Sequence, residues 1–425
     1  MLIPQLIIGV TLIAMLSGKA PLYLTAIVGA TLAALAAGFP ISGVHEGPVI
    51  TGLLAAGMHG VIFDMMGVLL FIGIMDKVGF LNAIIVRIMA VGKKIGGGPG
   101  ICALGGFAAG ALGAMTGFTQ PAITAVIAGP PAVALGVDKN KVCGAIGHAN
   151  TMGNFAGFTH PTQVAVIATA GITFGVINVV GLIVGLSIIS VAFFRLRAEM
   201  KRKGEANAKL NSEESAKLDA EFSSDIPFLK AIFPFGLLVV GFASGLPIVL
   251  VGVFCALVVV LMTIRNFVEA EQIMMQGLTR ITVPLLATFS FLYMSAVISA
   301  IGLVALLAGA LEPALNVAPI IMMLTVSALT GLITQSNAAS MAIVIPFLTV
   351  VLASGANPVA AAVVAAGGPA IMQLFLTGGP VAGLATVIPV MPGSDLKLAN
   401  RFQRPNLLVG LAVLLICGVV LAGGL

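Results

Sequence analysis

Charged residues are scarce in this sequence. Only 8% of its 425 residues are Asp, Glu, Lys or Arg, against about one quarter in an ordinary soluble domain, while 59% are hydrophobic and the mean hydropathy is +1.17. The four cysteines stand singly in apolar runs without CxxC spacing, which favours neither a disulfide framework nor a thiolate metal site. This composition excludes a water-soluble enzyme, a disordered protein and a nucleic-acid-binding protein. It predicts an integral protein whose main partner is the lipid bilayer.

The few charges are unevenly distributed. Residues 195–230 hold eight Lys or Arg and seven Asp or Glu of the 35 charged residues in the chain. If this segment is cytoplasmic, every basic residue falls in an inner loop or at the inner end of a span, as the positive-inside rule requires. We therefore expect a multi-pass protein of a bacterial inner membrane with a cytoplasmic central loop. The net charge of +5 is then explained by the membrane topology and implies no nucleic-acid partner.

Long apolar runs predict the membrane topology. A membrane helix needs about 20 apolar residues. The sequence contains ten predicted spans: 2–17, 20–38, 48–75, 142–169, 172–194, 228–242, 246–264, 281–308, 357–387 and 406–424. Two more pairs of apolar stretches are each joined by polar residues and predict re-entrant hairpins: 99–115 with 121–136, and 318–333 with 338–353.

The two halves of the sequence share one pattern at an offset of about 215 to 223 residues. The hairpin junctions 116–121 and 330–337 both contain Thr-Gly followed by Thr-Gln, and Val78-Gly79-Phe80 parallels Ile301-Gly302-Leu303. An odd number of spans in each half makes the halves opposite in orientation, which is typical of transporters. The predicted fold is an all-α polytopic membrane protein with two inverted repeats, each of five transmembrane helices and one re-entrant hairpin.

Polar residues cluster at the hairpin tips and helix breaks. Irregular backbone inside a membrane is tolerated only where protein or a wet cavity satisfies it, so these breaks predict a shared site near the midplane. The candidate substrate- and ion-binding residues are Thr116, Thr119, Gln120, His148, Asn150, Thr151, Asn154, Thr159 and His160 in the first half and Thr334, Gln335, Ser336, Asn337, Ser340, Thr377 and Gly378 in the second.

The ionisable candidates leave alternatives open. A single Ser or Thr in a membrane helix commonly packs or bonds to its own helix. His148 and His160 are either core imidazoles or members of a proton relay. Asp64 is the only acid deep in a predicted span, and it either carries a coupling proton, pairs with a neighbour such as His59, or lines an interface.

The predicted midplane contains no Lys or Arg. An anionic substrate would then be held by amides, hydroxyls, imidazoles and helix dipoles, which suits a small, multiply oxygenated carboxylate better than a phosphate ester. No spacing of His, Cys, Ser or Asp predicts catalysis, so we expect no enzyme activity and no cofactor beyond a coupling ion, Na⁺ or H⁺.

Ser336-Asn337-Ala338, with Pro346 downstream, resembles the Ser-Asn-Thr hairpin signature of the divalent-anion/sodium symporters. The whole pattern is similar to the ion transporter superfamily, which also contains gluconate and lactate permeases. The resemblance implies that Ser336 and Asn337 contact Na⁺ and a substrate carboxylate. It also implies a homodimeric elevator-type carrier, with scaffold segments 1–97 and 228–316, transport segments 98–196 and 317–425, and a linker at 197–227.

These observations predict a secondary active transporter of a small organic anion. The expected substrate is a di- or tricarboxylate such as citrate, or a hydroxycarboxylate, moved with Na⁺ or H⁺ by elevator-type alternating access. A Na⁺/H⁺ antiporter is the alternative, and a channel or a membrane-embedded enzyme is a more distant one.

Overall fold

The computed structural model of the chain is built from helices, and no described residue lies in a β-strand. This agrees with the predicted all-α class. The structure describes residues 2–16, 20–58, 60–116, 121–158, 160–204, 216, 220, 223–264, 266–279, 282–376, 384 and 387–423.

The first half contains ten described helices. Their order is two apolar helices, a short helix, a longer one, a bent helix that begins the first predicted hairpin, and then a series broken several times. The bounds are α1 Leu2–Leu16, α2 Leu22–Ala36, α3 Ile50–Ala56, α4 Gly60–Lys77, α5 Phe80–Thr116, α6 Pro121–Ala134, α7 Lys139–Gly147, α8 Ala149–Ala156, α9 Pro161–Ala170 and α10 Val176–Lys203.

The second half follows a similar order. Two apolar helices come first, then a short helix, a bent pair, a helical hairpin, a helix that ends at a break, and a long final helix. The bounds are α11 Phe228–Ala243, α12 Ile248–Thr263, α13 Phe267–Thr279, α14 Thr282–Ala300, α15 Leu303–Val317, α16 Pro319–Thr334, α17 Asn337–Ala353, α18 Pro358–Met372, the 3₁₀ turn Ile388–Val390 and α19 Leu396–Leu421.

Three described helical segments are long and apolar enough to cross a membrane: Phe80–Met115, which is kinked at Gly96 and Gly97, Val176–Lys203 and Leu396–Leu421. A fourth span results if α14 and α15, which are bent by 76° to each other, count as one. The other apolar helices have 10 to 17 residues, fewer than the roughly 20 that span the hydrocarbon core without help. The predicted number of ten spans therefore remains a prediction.

Besides 142–169 and 357–387, whose interruptions the sequence indicated, two more predicted spans are not single helices. Span 48–75 is divided between α3 and α4, and span 281–308 breaks after Ala300. Gly302 at the second break has φ 72°, a left-handed conformation that glycine adopts without steric cost. Hydropathy missed both breaks because apolar residues lie on either side of them.

Glycines with positive φ recur at corresponding places in the two halves. Gly79 precedes α5 and Gly302 precedes α15; Gly136 follows α6 and Gly355 follows α17; Gly171 follows α9 and Gly393 follows the 3₁₀ turn. The members of these three pairs are 223, 219 and 222 residues apart, within the range of offsets seen in the sequence.

Helix packing between the halves is reciprocal. Helix α2 packs against α14 of the other half, and α12 packs against α4. The long final helices α10 and α19 pack against each other. The helices of each predicted hairpin, α5 with α6 and α16 with α17, are in contact.

Small residues allow the closest of these contacts. Gly106 and Gly110 lie one turn apart on the same face of α5. A Cβ at Gly106 would lie 2.8 Å from the Ala145 carbonyl oxygen, and one at Gly110 would lie 3.2 Å from that of Ala149. Helix α5 therefore packs almost directly on the backbone of α7 and α8.

Candidate functional site

The tip of the second hairpin is a tight, polar turn. Gln335 joins α16 to α17 with φ 50°, and it is the only non-glycine residue with positive φ in the described part of the chain. Ser336 caps α17 by accepting the Ala339 N–H at 3.3 Å, and the hydroxyls of Thr334 and Ser340 are 2.9 Å apart. The left-handed backbone at a bulky residue costs free energy, and such strain is commonly found at functional sites.

Asn337 connects this tip to two other segments. Its side-chain Nδ2 donates to Thr162 Oγ1 at 2.8 Å, and its backbone N–H donates to Gln373 Oε1 at 3.0 Å. Thr162 lies in the first turn of α9, and Gln373 directly follows α18. A hairpin tip from the second half thus meets a helix break in each half.

The start of α9 is polar and buried. His160 Nδ1 lies 2.7 Å from Thr162 Oγ1, and Thr288 of α14 donates to the Pro161 carbonyl at 3.2 Å. Gln163 is 0% exposed, and neither its Oε1 nor its Nε2 has a partner among the described residues. The free N–H groups and dipole of the first turn of this ten-residue helix favour a negative group nearby.

The first hairpin is connected to the same break. The Phe158 N–H donates to the Ala114 carbonyl at 2.9 Å, which joins the end of α5 to the segment between α8 and α9. Thr116 is the last residue of α5. The predicted site residues Thr119, Gln120, Thr159, Thr377 and Gly378 lie outside the described residues, so their roles stay predictions.

His148 belongs to a different polar cluster. Arg195 donates to Asn406 Oδ1 at 2.6 Å, and because arginine only donates, this fixes the Asn406 amide with its Nδ2 toward His148 Nε2 at 2.8 Å. This chain of hydrogen bonds joins α10, α19 and the junction of α7 with α8. None of the bonds described for it reaches Asn337 or Thr162.

The other candidates of α8 have varied surroundings. Asn150 and Thr151 are buried, and Thr151 Oγ1 has no partner among the described residues. Asn154 is half-buried. No bond described for these three connects them to the second hairpin tip.

Asp64 lies between two helices. Its Oδ1 accepts the Val249 N–H at 3.1 Å, in the first turn of α12. A Cβ at Gly67, one turn further along α4, would lie 2.6 Å from the Val249 Cα, so the two helices are in close backbone contact. His59, the partner considered from the sequence, lies outside the described residues.

Sequence reasoning missed three buried residues of the site, Thr162, Gln163 and Gln373. A signal for the first two was present, because Thr162-Gln163 repeats the Thr-Gln dipeptide of both hairpin junctions directly after His160-Pro161. Gln373 stands alone in an apolar run, and only its contact with Asn337 distinguishes it.

Two asparagines hold the broken helices at matched positions. Asn178, near the start of α10, donates to the carbonyls of Ala156 and Gly157 at 3.1 Å each. Asn400, 222 residues later and near the start of α19, donates to the Leu374 carbonyl at 2.6 Å. These carbonyls lie at or just beyond the ends of α8 and α18, where the backbone has no helical partner, so the two amides satisfy the breaks beside the site.

Removing either amide is expected to destabilise the protein. Asn178→Ala or Asn400→Ala leaves buried carbonyl oxygens without a donor, at a cost of about 1–3 kcal/mol each. Thermal unfolding in detergent, followed by the loss of monodisperse protein, should show a lower midpoint for both variants. Asn82→Ala, at an exposed position of α5, is the control and should unfold like the wild type. A midpoint unchanged in both buried variants would contradict this role for the two amides.

The site consists of uncharged polar groups. Amides, hydroxyls and an imidazole surround Asn337, and no group of three or more His, Cys, Asp or Glu that could hold a metal occurs among the described residues. Such groups can exchange hydrogen bonds with a polar solute that enters the site.

The fold of the chain is similar to that of two solved membrane transporters. The chain is similar over 99% of its length to the YdaH transporter of Alcanivorax borkumensis, covering 98% of that chain at 15% identity and a TM-score of 0.60. It is also similar over 94% of its length to MtrF of Neisseria gonorrhoeae, of a class of antimetabolite efflux pumps, covering 94% of that chain at 13% identity and a TM-score of 0.61. No protein-family model matches the chain, and no curated protein matches it in sequence.

These comparisons support the transporter fold and not the finer assignment made from the sequence. Neither structure is described as a divalent-anion symporter or as a member of the ion transporter superfamily. At such low identity the likeness is one of fold, and the substrate and the coupling ion belong to the proposal that follows.

Proposed function

We propose that this protein is a secondary active transporter of a small organic anion, coupled to Na⁺ or H⁺ by elevator-type alternating access. The observation that carries the proposal is the hydrogen bond of Asn337 to Thr162, with the second bond of Asn337 to Gln373. A re-entrant tip that meets broken helices from both halves is the arrangement in which inverted-repeat transporters bind their substrates.

The chemistry of the site favours a carboxylate. The N–H groups at the start of α9 supply donors, and the helix dipoles of α9 and α17 favour a negative group. No described Lys or Arg has a hydrogen bond to Asn337, Thr162 or Gln373. Phosphate esters are usually held by bidentate arginine, so a di- or tricarboxylate or a hydroxycarboxylate fits better.

The packing supports division into a moving body and a scaffold. Helices α8, α9 and α10 of the first half pack against α18, α17 and α19 of the second, and these form the proposed transport domain from 98–196 and 317–425. The reciprocal contacts of α2 with α14 and of α4 with α12 form the proposed scaffold, 1–97 and 228–316. The homodimer, the cytoplasmic linker at 197–227 and the bacterial inner membrane complete the proposal.

The coupling ion is assigned to two candidate positions. Na⁺ would bind near Ser336 and Asn337, whose oxygens lie at the hairpin turn, and H⁺ would be carried by His160 beside Thr162. Asp64 is the remaining proton candidate, but its carboxylate already accepts a backbone N–H of α12. This engagement gives less support to the Na⁺/H⁺ antiporter alternative, which needs a carboxylate free to exchange cations.

Transport in proteoliposomes tests the proposal. Labelled lactate, gluconate, succinate, tartrate and citrate are offered under separately imposed Na⁺ and pH gradients, in both directions across the membrane. We expect saturable uptake and counterflow with at least one carboxylate, driven by one of the two gradients. Single-channel currents without saturation would indicate a channel. Cation exchange without any carboxylate flux would indicate an antiporter.

A further inference from the structure

Two buried amide side chains in the site have hydrogen-bonding groups left over. Asn337 is 4% exposed and uses its Nδ2 on Thr162, which leaves its Oδ1 without a partner among the described residues. Gln163 is 0% exposed, and both its Oε1 and its Nε2 are without such a partner. Gln163 lies in the first turn of α9, directly after Thr162, which accepts the hydrogen bond from Asn337.

The balance of donors and acceptors restricts the ligand. The three atoms are two acceptors, Asn337 Oδ1 and Gln163 Oε1, and one donor, Gln163 Nε2. A fully ionised carboxylate only accepts, so it can satisfy the donor but neither of the two acceptor oxygens. A buried acceptor left unpaired in the bound state opposes binding, so a ligand that brings its own donor is preferred.

We propose that the transported anion is a hydroxylated carboxylate and that Gln163 is the residue that selects for its hydroxyl group. This inference depends on the proposed transport of a carboxylate. The carboxylate accepts from the Gln163 Nε2–H and from N–H groups of the first turn of α9. The hydroxyl group donates to Gln163 Oε1. Selectivity follows because a deoxy analogue leaves this oxygen buried without a donor.

Matched pairs of substrates test this selectivity in wild-type protein. Unlabelled lactate is compared with propionate, and malate with succinate, as competitors of the best labelled carboxylate in proteoliposomes with saturating Na⁺ and an imposed pH gradient. We expect the hydroxylated member of at least one pair to compete at a concentration tenfold or more below that of its deoxy partner. Equal competition within both pairs overturns the proposal.

A pair of variants assigns the selectivity to Gln163. Gln163→Leu should bring the competition ratio within about twofold of one. Gln403→Leu is the control, because Gln403 is equally buried and also has an unpartnered Oε1, but it bonds to the Gly144 carbonyl in α7, away from Asn337. The control should keep the wild-type competition ratio. Because both competitors are measured on the same variant, the ratio does not depend on the amount of folded protein.

The outcomes separate the two proposals. A full wild-type ratio in Gln163→Leu removes Gln163 from the selection of the hydroxyl group. Uptake of succinate or propionate in preference to the hydroxylated partner overturns the inference and leaves the carboxylate transporter intact. An absence of flux with every carboxylate, under both gradients and in both directions, defeats the proposed function itself.

Discussion

Asn337→Ala is expected to reduce uptake of the transported anion by about 10- to 100-fold. The substitution removes the donor to Thr162 and the Oδ1 acceptor, and it leaves the Thr162 hydroxyl without its partner in the second half. Losing a buried polar contact of this kind costs about 1–3 kcal/mol, and 1.4 kcal/mol corresponds to tenfold. Initial uptake rates at a subsaturating substrate concentration, normalised to the amount of reconstituted protein, measure the effect.

Asn316→Ala is the matched control for this prediction. Asn316 is an exposed residue of α15, away from the hairpin turn, so its removal should leave uptake within about twofold of wild type. Wild-type uptake by folded Asn337→Ala protein would exclude the second hairpin tip from the site. The equivalent test of the first tip, Thr119→Ala, follows from the sequence pattern and is expected to impair uptake as well.

Gly181→Ala is expected to cause a large loss of stability, about 1–3 kcal/mol or more. A Cβ at Gly181 would lie within 2.6 Å of the backbone of Phe155 and Ala156, and backbone atoms cannot rotate away as a side chain can. Helix α10 would have to move off the end of α8, which would also stretch the bonds from Asn178 to Ala156 and Gly157. The expected result is a strongly lowered unfolding midpoint and little monodisperse protein.

Gly309→Ala gives the opposite expectation. Gly309 lies inside α15 with no atom within 4 Å of an added Cβ, and alanine has the higher helix propensity by about 1 kcal/mol. This variant should match or exceed the wild-type midpoint. If both variants unfold like the wild type, the close backbone packing of α10 on α8 is not a main source of stability.

The sequence located the helix breaks better than it located the partners at those breaks. Apolar runs interrupted by Thr, Gln, Ser and Pro predicted the turn at Gln335 and the break before Pro161, because polar groups in lipid must be satisfied locally. The same reasoning put His148 in the shared site. In the structure its imidazole bonds to Asn406, which Arg195 orients, because α19 packs across α7 and α10.

Bends within apolar segments had no signal in hydropathy. The turn at Gly302 between α14 and α15 depends on a left-handed backbone conformation, which glycine permits and which no change in composition marks. Similarly, nothing in the sequence marked Gln373 as a site residue. A single polar residue in an apolar run has the same sequence pattern whether its side chain packs in the core or binds a ligand.

The sequence by itself determined the class: the scarcity of charge required a lipid environment, and the Thr-Gln junctions repeated at one offset indicated two related halves with polar breaks. Only the tertiary structure decided which breaks meet, bringing Asn337 to Thr162 and Gln373 and directing His148 and Asp64 elsewhere. The physical reason is that composition fixes which groups must find partners in lipid. The choice of partner depends on helix packing over separations of 36 to 258 residues, which no local pattern encodes.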